Sequence, residues 1–141
     1  MKKITILFVV MLALASCKKD VKKEGEGVKN AYATVGGRRM AHINESLVPE
    51  YDFRSAGGLS ITLSAEVVGQ TMLTMYSTLL PYEGGGTNPN IRVQNRGITL
   101  PHTQILTIPS SLRGKRWILQ TLLTSSSGVE HRIEFKAIVV L

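Results

Sequence analysis

The chain has 141 residues, 43% of them hydrophobic and 19% charged, with a formal net charge of +7. Its one cysteine excludes an internal disulfide, so whatever folds must be held together by burial alone. The basic surplus is dispersed, which argues against nucleic acid as a partner: residues 18–29 carry five lysines against three acids and residues 30–141 carry ten basic against seven acidic side chains, with only pairs such as Arg38-Arg39 and Lys115-Arg116.

Lys2 and Lys3 precede an apolar stretch, residues 4–14, that leads into Leu14-Ala15-Ser16-Cys17. A basic start, an apolar centre and small residues before a cut form the layout of a secretory signal. About a dozen apolar residues fall well short of the roughly 20 that a bilayer core requires, so the stretch is not read as a transmembrane helix. Its last four residues resemble the lipobox of bacterial lipoproteins, where the signal peptidase cuts before a cysteine whose thiol carries diacylglycerol. The resemblance implies that residues 1–16 are removed and that Cys17 becomes the lipidated first residue of the mature protein. Each buried methylene adds about 0.8 kcal/mol, so two or three acyl chains make the attachment permanent in practice.

Residues 17–29 then comprise the lipidated cysteine and a charged, glycine-containing linker too poor in apolar residues to bury anything. Such a chain spans about 20 Å on average and about 40 Å at most. Its lysines suit anionic lipid head groups. By resemblance to lipoprotein sorting rules, lysines in place of acids after Cys17, and no Asp directly behind it, imply an outer-membrane anchor with the domain facing the periplasm, exposure at the cell surface being the alternative.

Residues 30–141 suffice for one domain with one core. Residues 32–35 and 38–43 flank Gly36-Gly37 as a first hairpin. In residues 59–67 every odd position is apolar or small and every even one polar, the period of a half-buried strand. Gly69-Gln70 and the run 71–80 then complete a second predicted hairpin. Residues 81–90, with Gly84-Gly85-Gly86 and Pro89, form a loop. Residues 91–94 and 98–108 follow around a turn at 95–97, and Pro101, which removes a ladder donor, marks an edge strand or a break. Residues 116–124 and 129–139 form the last hairpin around Ser125-Ser126-Ser127-Gly128. Because residues 138–141 are apolar on both faces, another strand or a partner is expected to cover them. No segment after residue 29 carries helical apolar spacing. The fold expected is all-β, an immunoglobulin-like or transthyretin-like β-sandwich, with a small closed barrel as the competing architecture.

Reactive constellations are sparse. His42, His102 and His131 stand far apart without neighbouring ligands, so no metal site is expected, and no cofactor or nucleophile motif is found. Glu45, Glu50 and Asp52 lie close enough to raise a glycosidase-like hydrolase, but acids in a polar connection are more often solvated. Trp117, the only tryptophan, is expected in the core. Gly84-Gly85-Gly86 is no phosphate loop, since no Lys-Ser/Thr follows. With Pro81, Tyr82 and Glu83 it makes a loop on a rigid scaffold, the weak candidate for partner contact. The expectation is a non-enzymatic protein without a cofactor, joined to the membrane through lipidated Cys17 and binding an envelope protein. In layout it resembles the small anchored lipoproteins of trans-envelope machines such as type VI secretion and conjugation assemblies. The alternative is a carrier or sensor whose barrel cavity, lined by Leu63, Leu73, Met75 and Leu119, takes a small apolar ligand.

Overall fold

A computed structural model describes residues 27–69, 71–126 and 130–141; Cys17 and the lipobox lie outside that set. Among the described residues, ten strands form two sheets. The first runs in the order β2 (Arg38–Arg39), β1 (Val28–Val35), β5 (Gly58–Val67), β8 (His102–Thr107), all antiparallel. The second runs β3 (Ala41–His42), β10 (Glu130–Val140), β9 (Arg116–Ser126), β6 (Met72–Pro81), β7 (Arg92–Arg96), also antiparallel. β4 (Glu50–Asp52) joins β10 in parallel, beside Ile138–Val140. With the long strands β1, β5 and β8 facing β10, β9, β6 and β7, the order matches an immunoglobulin-like sandwich whose strands A, B and E oppose G, F, C and C′.

Leu59, Ile61, Leu63 and Leu106 from one sheet meet Leu73, Met75, Leu79, Leu119, Leu123 and Phe135 from the other in one core. This is a packed sandwich, and the side chains proposed to line a barrel cavity, Leu63, Leu73, Met75 and Leu119, are themselves members of that core. Trp117 is buried as expected.

The alternating runs are strands as predicted, but β5 and β6 do not pair as a hairpin. β5 lies between β1 and β8 in one sheet, and β6 between β9 and β7 in the other. The connection through Val68 and Gly69, which takes φ +80, carries the chain across the core. Alternation specifies which face of a strand is buried and says nothing of its lateral neighbour, so an arch between sheets and a hairpin within one share the same pattern. β7 and β8 likewise lie in different sheets, and the expected turn at 95–97 is displaced: Asn95 and Arg96 pair with Met75 and Thr74 as the end of β7, and residues 97–101 make the crossing.

The first hairpin is present. Gly36 and Gly37 take φ +56 and +80, as a two-residue turn with both central residues left-handed requires. The run 38–43 is not a single strand, however. After β2 the buried Met40 crosses the sandwich edge and β3 pairs with β10. β1 begins at Val28, which is buried, and Lys29 pairs with Glu66, so both residues belong to the folded domain although the sequence reading placed them in the linker. β8 starts just after Pro101 and is an edge strand, and the last hairpin pairs β9 with β10. The apolar C-terminus is covered by β4, and the Leu141 amide donates to the Lys115 carbonyl at 3.1 Å.

Candidate functional site

Strand directions give the sandwich two distinct ends. β1 enters at Val28, beside Val67, while the β6 to β9 pairing sets Met72 against Ser126 at this same end. The opposite end collects the Gly36-Gly37 turn, the loop 82–91 and the connection 108–115. The candidate contact loop therefore lies at the end away from the chain's entry into the fold.

At that far end an open cleft of about 730 Å³ is lined by Pro81 at the end of β6 and by Tyr82, Glu83, Gly86 and Pro89 from the loop. Leu112, Lys115, Arg116 and Trp117 supply the facing wall. Four of the six sequence-predicted residues line it, whereas Gly84 and Gly85 do not. Gly85 takes φ +89, and a Cβ on Gly86 would stand 2.8 Å from the Cβ of Pro81, so the glycines shape the loop by turning it tightly onto its own start.

Arg116 organises the facing wall. Its Nη2 donates to both carboxylate oxygens of Glu50, at 2.9 and 2.7 Å, and its guanidinium lies 5.1 Å from the centre of the Tyr82 ring. The hydrogen bonds to Glu50, then the charge of Glu50 and more weakly the Tyr82 hydroxyl, raise the Arg116 pKa above its ordinary value. With the folded pKa raised, the contribution is lost at the alkaline side only as pH rises through the higher value, and solvent exposure of both side chains keeps it small. Trp117 pins the same wall: its indole Nε1 donates to the Leu112 carbonyl at 3.0 Å. In sandwich domains a tyrosine at the start of the equivalent strand bonds back to the preceding connection, and here a tryptophan does that.

The acids proposed for hydrolysis are engaged elsewhere. Glu50 is held by Arg116, and Asp52 accepts from the Arg54 amide at 3.1 Å and faces its guanidinium at 3.7 Å. Glu45 sits apart on the exposed β3–β4 connection. Among the described residues no group of three His, Cys, Asp or Glu side chains stands together to hold a metal. His42 packs edge-on against Phe135, and His102 Nε2 lies 3.3 Å from Asn95 Oδ1; the side chain of His131 is outside the described set.

One polar group that sequence reasoning passed over is Gln104. It points inward from β8, donates through Nε2 to the Met75 carbonyl at 2.9 Å and to Asn95 Oδ1 at 2.8 Å, and accepts from Ser77 Oγ at 2.9 Å. Because the single Ser77 proton goes to Gln104, the 2.9 Å contact of Ser77 with Thr121 has Thr121 as donor. Asn95 Oδ1 is an acceptor only, so His102 presents a protonated Nε2 to it. Gln104 is thereby a polar clasp between the sheets in a chain without disulfides. Its signal was the inward series 104, 106, 108, where Leu106 and Ile108 are buried and the first member is polar.

No family model, curated protein or solved structure matches the chain.

Proposed function

We propose that this chain is a lipid-anchored envelope protein whose β-sandwich binds a protein partner, without catalysis, at the end remote from its anchor. The anchor is assigned to Cys17 on the lipobox resemblance, and the preferred setting is the outer membrane with the domain in the periplasm. The observation that carries the binding assignment is polar placement. The chain enters the fold beside Val67, while the cleft built on Tyr82, Arg116 and Trp117 opens at the other end. Between them lies β6, whose ten residues extend about 30 Å at the usual strand rise. Tyrosine and arginine are among the side chains that most often dominate binding at protein interfaces, Tyr82 and Arg116 are exposed here, and the tether would leave this end projecting from the bilayer.

A photo-crosslinking amino acid placed at Glu83 tests the assignment in intact envelopes. A discrete adduct is expected that disappears when Tyr82→Ala and Lys115→Glu are combined with it. An adduct unaffected by those changes, or one formed equally from Ile105 on β8, would contradict it.

A further inference from the structure

The end at which the chain enters the fold carries its own surface. Val68 and Met72 are each 62% exposed, and Val67 beside them is 39% exposed. Single exposed apolar residues are ordinary, but these three flank one interstrand connection, and the Val68 amide donates to the Gly27 carbonyl at 2.8 Å. They therefore adjoin the point from which residues 18–26 lead back to Cys17. Lys29, which pairs with Glu66, and Arg96, which pairs with Thr74 one turn of pleat above Met72, are exposed at the same end. The Glu66 carboxylate accepts from the Asn30 side chain at 3.2 Å.

We propose that this end of the sandwich rests on the bilayer, with Val68 and Met72 entering the head-group margin of an anionic lipid surface and Lys29 and Arg96 facing its phosphates. The inference rests on the lipid anchor assigned above. Nine residues between Cys17 and Gly27 reach at most about 30 Å, so this end is held at high effective concentration beside the membrane and weak contacts suffice to orient it. Apolar side chains at the boundary with cations behind them are the composition that interfacial contact favours. Orientation in turn keeps the Tyr82 cleft pointing away from the lipid.

The test uses the full chain with its lipid, reconstituted into phosphatidylethanolamine–phosphatidylglycerol vesicles whose acyl chains carry bromine, a contact quencher of tryptophan. Val68→Trp is compared with Ile105→Trp, an exposed site on β8 toward the far end, and with the unaltered chain, whose Trp117 lies at the cleft. The emission that Val68→Trp adds is expected to fall by about half, as side chains at the acyl boundary require, while the other two change little. Adding Arg96→Glu is expected to weaken that quenching. Protein that floats with the vesicles yet shows no more quenching for Val68→Trp than for Ile105→Trp overturns the contact and leaves the anchor standing. Native protein that does not float overturns the anchor, and the contact with it.

Discussion

Gln104 does at residue scale what a disulfide does in many sandwich domains: it ties one sheet to the other. Replacing it with alanine removes two donors and an acceptor from a buried network, leaving Ser77 and the Met75 carbonyl without a Gln104 partner. A loss of about 2 to 4 kcal/mol is expected from the unsatisfied groups and the lost volume, read from the urea midpoint. Gln104→Glu sharpens the prediction, because a carboxylate there would face Met75 O and Asn95 Oδ1, both acceptors. Burial and those acceptors raise the folded pKa of the introduced acid, so its neutral form is the compatible one. The variant is therefore expected to be least stable at neutral pH and to recover as pH falls through the raised value; stability independent of pH between about 4 and 7 would contradict the network. Trp117→Phe deletes the bond to Leu112 together with the pyrrole part of a buried indole, and is expected to lower stability by about 2 kcal/mol in the same assay.

Elements show where sequence reasoning reaches and where it stops. β5 and β10 are legible from period-two alternation, and Gly36-Gly37 identifies its hairpin because both positions need left-handed φ, whereas the start of β1 at Val28 is hidden in a segment that reads as linker. The two glycines differ in a way that only packing reveals. A Cβ on Gly37 meets nothing within 4 Å, whereas one on Gly36 would stand 2.6 Å from Phe53 Cε1. Alanine at either position carries the left-handed cost of about 1–2 kcal/mol, and Gly36→Ala is expected to lose more than Gly37→Ala in thermal melts, because the Phe53 ring must also move. What could not be read is partnership. β5 and β6 look like hairpin neighbours because both alternate and a glycine lies between them, yet burial of Leu59, Ile61 and Leu63 against Leu73 and Met75 is achieved across the core rather than along one sheet. The cleft was half legible for the same reason. The loop 81–86 announces itself by composition, but Arg116, Trp117 and Glu50 join it only through the pairing of β6 with β9 and of β4 with β10.

At the scale of the whole molecule, the proposed function rests on polarity: chain entry, exposed Val68 and Met72 at one end, and an aromatic–arginine cleft at the other. That polarity has biological meaning only if the chain is attached where residues 14–17 predict. The decisive measurement is the intact mass and N-terminal fragmentation of the protein purified from native envelopes. A mature chain that starts at Cys17 with its thiol and amine acylated, and that enters the detergent phase unless Cys17→Ala is introduced, is the predicted result. A chain that retains residues 1–16, starts at another residue, or carries an unmodified cysteine in the aqueous phase would contradict it.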